Sequence, residues 1–300
     1  MFYPKVSIII PVYNGSNYLA EAIKSALDQT YNNIEILVIN DGSNDNGETV
    51  KVALSFGDKI NYIYKENGGV ATALNLGIEK ASGEYISWLS HDDLYYPNKI
   101  EEQVKVLEGL DDKNTVIYSN FEFFHDNKKI SEINPNSNYM KDENLLYNCI
   151  FRKYPLQGCS LLIKKDIFEK IGLFNIDYKC VQDYDMWLRM LSNKIKFKYY
   201  NKILIKYRRH ENQGSIALNS KCFKEEYKNI YNISNIFNKF NLNDILKSSP
   251  NNEYKIILFL KIFKSFYLSV CIFIIINILN KLGIYSFLSP IWRKYILKQK

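Results

Sequence analysis

The sequence predicts an α/β fold in which a mostly parallel sheet is flanked by helices, with a helical extension at the C-terminus. In the first hundred residues, short β-branched runs alternate with amphipathic stretches, as expected of strands and helices in a parallel sheet. The chain of 300 residues, with 47% hydrophobic and 24% charged side chains, is long enough to bury a large core. Only 13 glycines and 7 prolines occur, which excludes a collagen-like or linker-like chain.

The first elements form a predicted strand–helix–strand unit. Residues 6–10 are a continuous apolar run, which predicts a buried strand. Apolar residues recur at helical spacing over residues 19–27, and Asn17 is the expected N-cap. Residues 34–39 form a second β-branched run. The order strand, helix, strand is that of a parallel βαβ unit.

The same alternation continues to residue 124. The predicted elements are strands at 60–64, 85–89 and 116–124, and helices at 71–81 and from Pro97 onward. Residues 127–148 are polar and rich in asparagine, which predicts a loop before structure resumes near Gly158. Helical patterns follow residue 215. We therefore predict an α/β domain over residues 1–215 and a helical, basic and apolar region over residues 216–300.

Charge and cysteine content indicate partners and location. The net charge of +7 lies in the last fifty residues, so the folded body lacks the basic stripe expected of a nucleic-acid-binding domain. The five cysteines have no metal-binding spacing, which favours free thiols in a reducing compartment. The N-terminus also lacks the pattern of a signal peptide. We predict a cytoplasmic protein that does not bind nucleic acid.

The C-terminal region contains an uncharged stretch, residues 265–280. A membrane-spanning helix needs about 20 such residues, so this stretch is short for a span. Lysines flank it and a basic tail follows, which favours contact with an anionic membrane surface. A buried docking helix or a dimer contact is the other interpretation, and the sequence leaves both open.

Polar residues follow three of the predicted strands, at the edge of a parallel sheet where ligands collect. They are Pro11, Tyr13 and Asn14 after the first strand, Asp41 after the second, and Asp92 and Asp93 after the strand at 85–89. Two adjacent carboxylates repel each other unless a cation compensates them, and oxygen ligands favour Mg²⁺ or Mn²⁺. Taken alone, such a pair is also typical of a solvated turn or a helix cap.

The motif series over the first 215 residues resembles the family 2 glycosyltransferases, nucleotide-sugar enzymes with the GT-A fold. The matching blocks are Pro11-Val12-Tyr13-Asn14, Asn40-Asp41-Gly42-Ser43, Glu66-Asn67-Gly68-Gly69, Asn75-Leu76-Gly77, and Gly83-Glu84-Tyr85-Ile86 leading to Asp92-Asp93. These blocks occur in the order and at the spacing of the family. The resemblance implies a GT-A type domain with a Rossmann-like sheet.

The resemblance also implies that the first half of the domain binds the donor. The implied nucleotide-sugar-binding residues are Pro11, Tyr13, Asn14, Asp41, Asn67, Gly68, Asn75, Asp92 and Asp93. Tyr13 would offer its ring to the base, and Asp41 would accept a hydrogen bond from a pyrimidine ring N–H. This selects uracil or thymine, and hence a UDP- or dTDP-sugar.

A metal ion and a histidine complete the implied donor site. Asp93 is the expected ligand of Mn²⁺ or Mg²⁺, which would neutralise charge on the departing diphosphate. His210 resembles the family's downstream histidine, which completes the metal site or contacts the diphosphate, and it is the second expected metal ligand. Taken alone, a single histidine is more often a surface or hydrogen-bonded structural residue. Arg208 or Arg209, directly before it, is a candidate phosphate ligand.

The second half of the domain would supply the acceptor side. Asp183 resembles the catalytic base of the family, which would take the proton of an acceptor hydroxyl. Tyr184 and Trp187 begin the apolar face of a predicted helix, so Asp183 lies at its N-terminus, where the dipole favours an ionised carboxylate. Asp185 precedes Arg189 by four residues and is expected to pair with it instead.

The chain departs from the family pattern at several positions. Leu74 stands where many relatives carry arginine, Ser90 and His91 replace the usual acidic first member of the aspartate motif, and Gln182 replaces a glutamate. No Gln-x-x-Arg-Trp sequence follows in the acceptor region, which disfavours a processive polymerase.

The resulting prediction is an inverting, metal-dependent glycosyltransferase that transfers a single sugar to a saccharide or lipid-linked saccharide. Such a step belongs to bacterial cell-surface polysaccharide or lipid-linked oligosaccharide synthesis, at the inner face of the plasma membrane. The C-terminal helices would provide peripheral membrane contact. Two alternatives are a catalytically inactive sugar-nucleotide-binding scaffold and a nucleotidyltransferase, although no glycine-rich phosphate loop supports the latter.

Overall fold

The fold is built on one extended sheet with helices packed against it. The computed structural model describes residues 2–125, 128–133, 145, 149, 156–210 and 226. All of these belong to one of the two compact units of the chain, residues 1–248. The uncharged stretch at 265–280, the helical pattern of the C-terminal region and most of the predicted loop at 127–148 lie outside the described residues.

Strands and helices alternate along the described chain. The strands are β1 (Val6–Val12), β2 (Ile34–Asp41), β3 (Asn61–Lys65), β4 (Tyr85–Trp88), β5 (Leu94–Tyr95), β6 (Val116–His125), β7 (Lys128–Ile133), β8 (Leu161–Lys164) and β9 (Phe197–Arg208). The helices are α1 (Leu19–Leu27), α2 (Glu48–Leu54), α3 (Val70–Lys80), α4 (Lys99–Glu108), α5 (Lys165–Ile171) and α6 (Gln182–Ser192). None of these helices is both long and apolar enough to span a bilayer.

The strand order is β3-β2-β1-β4-β8-β6-β9-β5, with β7 paired to β6. The first four strands are parallel, as the sequence predicted, so their carboxyl ends meet at one edge. Beyond β4 the pairing is mixed. β8 runs antiparallel to β4 and β6, whereas β6 and β9 are parallel. The second half of the chain therefore extends the sheet on the β4 side, away from β1 and β2.

The central strands form because both of their faces are covered. Every residue of β1 is buried, which explains its continuous apolar run. Helix α3 covers one face and approaches β1 closely at Gly77. A Cβ atom at that position would lie 2.4 Å from Cγ2 of Ile9. The glycine of the Asn75-Leu76-Gly77 block therefore permits close packing of helix and strand.

Several local expectations need correction. The N-cap of α1 is Tyr18 rather than Asn17, and no side chain of the described residues caps the helix. Instead, the amides of Tyr18 and Leu19 donate to the carbonyl of Gly15, at 3.1 and 3.0 Å. The predicted loop at 127–148 begins with a strand, because β7 pairs antiparallel with β6. Helices α2 and α5 and the short strand β5 were not predicted, because each is too short for a clear periodic pattern.

Candidate functional site

A cleft of about 540 Å³ opens at the carboxyl ends of β1, β2 and β4 and extends to α6 and β9. Seven candidate residues from the sequence line it, namely Pro11, Tyr13, Asp41, Asp92, Asp93, Asp183 and Arg209. Asn14, Asn67, Gly68, Asn75 and His210 lie outside the lining. Four of these contact residues that do line the cleft: Asn14 adjoins Tyr13, Asn67 and Gly68 donate to Asp41, and His210 contacts Asp92. Asn75 contacts Phe174 instead.

The loops after β1 and β2 are held together at one end of the cleft. Asn14 has a positive φ of 48°, and its amide Nδ2 donates to Oδ1 of Asn44 at 2.7 Å. The amide of Asn44 donates in return to Oδ1 of Asn14 at 2.8 Å. Tyr13, the neighbouring residue, keeps 44% of its surface exposed. Its ring is therefore available to stack against a planar base.

Asp41 is buried and accepts hydrogen bonds from the loop that follows β3. The backbone amides of Gly68 and Gly69 donate to its two carboxylate oxygens, at 3.0 and 2.8 Å. Lys65 Nζ lies 2.5 Å from Oδ1, and Nδ2 of Asn67 donates to the Asp41 carbonyl at 2.9 Å. Asn67 and Gly68 therefore shape the position of Asp41, which alone of the three lines the cleft.

The two adjacent aspartates have different surroundings. Asp93 is almost fully enclosed; its Oδ1 accepts the amide of Arg208 at 3.0 Å, and Sγ of Cys159 donates to its Oδ2 at 3.5 Å. Burial, and next the charge of Asp92, raise the pKa of the Asp93 carboxyl well above its usual value. Asp92 instead contacts His210, with Oδ2 and Nε2 2.9 Å apart. The partner of His210 is therefore Asp92, not Asp93.

The Asp92–His210 pair offers two adjacent donors for a divalent ion. Among the described residues, no group of three or more His, Cys, Asp or Glu side chains forms a metal site by itself. Mg²⁺ in nucleotide sites is commonly held by one or two protein ligands together with phosphate oxygens and water. An oxygen of Asp92 and a nitrogen of His210 fit this pattern, and Mn²⁺ accepts the same ligands.

Arg208 holds the aspartate motif in place. Its Nε donates to the carbonyl of Asp92 at 2.9 Å, in addition to its amide bond to Asp93. Its Nη2 contacts Oε2 of Glu21, on α1, at 2.7 Å. The guanidinium carbon lies 4.3 Å from the ring centroid of Tyr18. Arg208 is therefore committed to these contacts, whereas Arg209 lines the cleft.

Asp183 lies in the first turn of α6 and faces the cleft from the second half of the domain. Its Oδ1 accepts the backbone amide of Tyr184 at 2.8 Å. Asp185 pairs with Arg189 at 2.7 Å, as predicted, and Arg189 also donates to backbone carbonyls of residues 171–173. Asp185 is therefore a structural residue, and Asp183 is the carboxylate of this helix that faces the cleft.

Asn75 forms a two-way bridge within the fold. Its Nδ2 donates to the carbonyl of Phe174, and its Oδ1 accepts the amide of Phe174, both at 2.9 Å. Both polar atoms of the side-chain amide are thus used by a residue 99 positions further along the chain. This geometry gives Asn75 a structural role in joining α3 to the segment before α6.

Some cleft residues were not identified from sequence. His91 lines the cleft, and burial lowers the pKa of its imidazole. A Cβ at position 15 would lie 2.3 Å from Cδ2 of His91, so Gly15 makes room for this ring. Gln182 and Trp88 also line the cleft, and within the described part of the chain Gln182 Oε1 and Trp88 Nε1 are buried without a hydrogen-bond partner. In the sequence, His91 and Gln182 were noted only as departures from the family pattern, and Trp88 gave no signal.

The parallel first half, the mixed second half and the cleft at the carboxyl edge define a GT-A type fold. The solved structure of S. aureus TarS 1–349 in complex with UDP-GlcNAc has this fold, with a TM-score of 0.65, 17% sequence identity, and coverage of 87% of this chain and 73% of that chain. The GT-A type fold predicted from the motifs is therefore confirmed.

Sequence comparisons identify the family. The family model described as "Glycosyl transferase family 2" matches residues 7–172. An "Uncharacterized glycosyltransferase" of Rickettsia bellii is 50% identical over 226 residues, 74% of this chain but only 32% of the relative, so the match spans about a third of that protein. The Escherichia coli "UDP-Glc:alpha-D-GlcNAc-diphosphoundecaprenol beta-1,3-glucosyltransferase WfgD" is 30% identical over 223 residues, 73% of this chain and 81% of WfgD. The chain belongs to glycosyl transferase family 2.

Proposed function

We propose that this protein is an inverting, metal-dependent glycosyltransferase that moves one sugar from a UDP- or dTDP-sugar to a saccharide acceptor. The observation that carries the proposal is the composition of the cleft. Tyr13 and Asp41 line it from the ends of β1 and β2, and Asp183 lines it from α6. A direct transfer requires a donor site and a general base in one cleft. Tyr13 and Asp41 would bind the nucleotide base of the donor, and the carboxylate of Asp183 would serve as the general base.

A UDP-sugar is the favoured donor. The ring of Tyr13 would stack on the base, and Asp41 would accept the ring N–H that uracil and thymine carry and cytosine lacks. Oδ2 of Asp41 retains acceptor capacity, because a carboxylate oxygen offers about two lone-pair positions and, among the described residues, Oδ2 accepts only the amide of Gly69. The name of WfgD specifies UDP-Glc, and TarS was solved with UDP-GlcNAc. The names of these proteins thus support uracil as the base of the donor.

Asp92 and His210 are the residues that would hold Mn²⁺ or Mg²⁺. When bound there, the ion supplies positive charge against the diphosphate as it leaves. This assignment moves the metal contact from Asp93, which the sequence favoured, to its neighbour. Asp93 holds the motif in place instead, through the amide of Arg208 and the thiol of Cys159.

Asp183 is the proposed general base. It would accept the proton of the acceptor hydroxyl while that oxygen forms a bond to the anomeric carbon of the sugar. The bond from this carbon to the diphosphate oxygen breaks at the same time, and the diphosphate leaves from the opposite face. A single displacement inverts the anomeric configuration. The position of Asp183 in the first turn of α6 favours its ionised form.

A lipid-linked saccharide at the inner face of the plasma membrane is the proposed acceptor. The name of WfgD includes a GlcNAc-diphosphoundecaprenol acceptor. The apolar stretch and basic tail of residues 216–300 suit peripheral contact with an anionic membrane surface in the cytoplasm. We expect the full chain to bind anionic vesicles and a chain ending near residue 250 to lose this binding.

Donor hydrolysis tests the proposed function. Purified protein is incubated with a panel of UDP- and dTDP-sugars, with Mn²⁺, Mg²⁺ or a chelator, and the released nucleoside diphosphate is measured. We expect slow, metal-dependent release from one donor. Binding of a UDP-sugar without hydrolysis or transfer would favour the inactive scaffold. Calorimetry that detects no metal-dependent binding of any donor would contradict the nucleotide-sugar proposal itself.

Replacement of the base separates transfer from donor binding. Asp183→Asn should lower acceptor transfer by about 100-fold or more, since a general base contributes about that much. Donor affinity should stay within about twofold, because the nucleotide contacts lie at β1 and β2. Asp177→Asn is the matched control, since Asp177 is exposed six positions earlier and lies outside the cleft lining. Equal losses in both variants would reject Asp183 as the base.

A further inference from the structure

The cleft contains a cluster of aromatic rings on the second half of the sheet. Phe121 and Phe123 of β6 and Tyr207 of β9 all line it; we call these three residues the aromatic platform. The ring centroids of Phe123 and Tyr207 are 5.5 Å apart, and those of Phe121 and Phe123 are 5.4 Å apart, both edge to face. Phe121 is buried and supports the other two rings.

Arg209 places a positive charge on this platform. Its guanidinium carbon lies 4.2 Å from the ring centroid of Phe123 and 5.5 Å from that of Tyr207. Alternation along the strand turns Arg208 to α1, whereas Tyr207 and Arg209 face the cleft. Within the part of the chain that the structure describes, no carboxylate forms an ion pair with Arg209. Its planar fork can therefore bind an anionic oxygen pair.

The platform lies away from the nucleotide end of the cleft. In the sheet, β4 and β8 separate β1 from β6. With strands about 4.8 Å apart, roughly 14 Å lies between β1, which carries Tyr13, and β6. A nucleotide bound at β1 and β2 with its diphosphate near Asp92 leaves the platform for the second substrate. Gln182, beside the proposed base, lines the same cleft.

We infer that the aromatic platform and Arg209 form an acceptor subsite for a hexose that carries a phosphate or diphosphate at its anomeric carbon. The C–H face of a pyranose ring carries partial positive charge and packs against aromatic ring faces. Arg209 would bind the phosphate oxygens. This inference rests on the proposed function, because it takes the donor to occupy the β1–β2 end.

Calorimetry on the full chain distinguishes an acceptor phosphate from the donor diphosphate. Protein saturated with UDP and Mn²⁺ is titrated with a set of hexose 1-phosphates, including those of glucose and N-acetylglucosamine, and with the parent sugars. We expect Arg209→Gln to raise the Kd of the hexose 1-phosphate about tenfold, as expected for a lost charge-assisted hydrogen bond. The Kd of the parent sugar and that of UDP should stay within about twofold.

Two further variants complete the test. Phe123→Ala should weaken the hexose 1-phosphate and its parent sugar alike, because it removes the stacking surface. Lys206→Gln is the matched control: Lys206 lies on the same strand, with its Nζ 5.1 Å from the ring centroid of Tyr96, outside the cleft lining. It should change none of the affinities.

Other outcomes would overturn either the acceptor subsite or the donor proposal. Weaker UDP binding in Arg209→Gln with unchanged hexose phosphate binding would assign Arg209 to the donor and overturn the inference. Failure of every hexose 1-phosphate to bind the wild-type protein would also overturn it. If UDP does not bind but hexose phosphate binding still depends on Arg209, the donor proposal fails and the subsite stands.

Discussion

At the scale of single residues, the molecule buries several polar groups whose chemistry differs from that in water. Asp93 is enclosed beside Asp92, and its pKa is raised by that burial. Lys99 is fully buried at the start of α4, where its Nζ contacts Ser87 Oγ at 2.6 Å. The sequence placed Asp93 at a metal site but gave no sign that its carboxyl is enclosed, and it gave no sign that Lys99 is buried. Lys99 is buried because α4 packs its side chain against Ser87 of β4 and the carbonyl of Leu161 on β8.

The buried amine of Lys99 should make the stability of the protein depend on pH. Burial lowers the pKa of its ammonium from 10.5 to about 7 in the folded protein. Between these values the unfolded chain binds more protons than the folded one, so the free energy of unfolding rises with pH from about 7 toward 10.5. The slope is at most about 1.4 kcal/mol per pH unit. Urea unfolding at several pH values measures it.

Removal of the amine should abolish this slope. Lys99→Met should gain stability relative to wild type near pH 7 and lose that advantage as the pH rises. Lys105→Met is the control, since Lys105 is an exposed residue of the same helix that pairs with Glu101. A pH slope that persists in Lys99→Met would assign it to another group.

At the scale of elements, close approaches and ties between segments fix the cleft. Helix α3 packs on β1 at Gly77, and α1 is tied to the aspartate motif through Glu21 and Arg208. Gly77 could be identified from the sequence because it belongs to a contiguous motif. The contact between Glu21 and Arg208 could not, because it joins residues 187 positions apart. Only the folded sheet brings them together.

Gly77→Ala should destabilise the protein. The added methyl group would meet Ile9 at 2.4 Å, which forces α3 away from β1. Overpacking of this kind costs about 1 to 3 kcal/mol, measurable by chemical denaturation. Gly109→Ala is the matched control, because a Cβ there would lie 3.6 Å from the carbonyl of Val106, at ordinary contact distance. Equal stability of the two variants would contradict the packing account.

Loss of the Arg208 contacts should weaken the affinity for the metal more than the affinity for the nucleotide. Arg208→Lys keeps the charge but loses the fork that joins the Asp92 carbonyl to Glu21. We expect the Mn²⁺ concentration for half-maximal donor hydrolysis to rise about tenfold, as for other residues that orient a metal ligand. Glu21→Gln, at a half-exposed position, should produce a smaller shift in the same direction. A loss of activity at saturating Mn²⁺ with no such shift would reject this role.

At the scale of the whole molecule, the sheet joins two halves with different tasks. Strands β1 to β4 carry the proposed nucleotide contacts, and β6, β9 and α6 carry the proposed acceptor side and base. Antiparallel β8 connects the halves within one sheet. Asn75 adds a second connection, because its amide pairs with the backbone of Phe174 in the acceptor half.

Asn75→Ala should therefore act on stability rather than on the nucleotide. The variant leaves the amide and carbonyl of the buried Phe174 without partners, at a cost of about 1 to 3 kcal/mol for each unsatisfied group. Thermal unfolding should shift to lower temperature, while the Kd of UDP stays within about twofold. Loss of UDP binding at unchanged stability would return Asn75 to the nucleotide-binding set that the motif implies.

Local pattern by itself determined the parallel half of the sheet, the position of α3 and the residues that follow each strand. These depend on periodicity and on turn chemistry over a few residues, so they can be predicted from sequence, as Pro11, Tyr13 and Asp41 show, whereas Asp183 came from the family resemblance. The family also followed from the order of the motifs. Here the sequence was sufficient because each block is contiguous.

Only the tertiary structure decided which side chains meet. It paired His210 with Asp92 rather than with Asp93, committed Arg208 to α1, joined Asn75 to Phe174, and placed Arg209 on the rings of β6 and β9. Each contact joins segments far apart in the chain, and a shift of one residue in strand register would turn the side chains to the opposite face. The pairing of the mixed half of the sheet sets that register, and no local pattern encodes it.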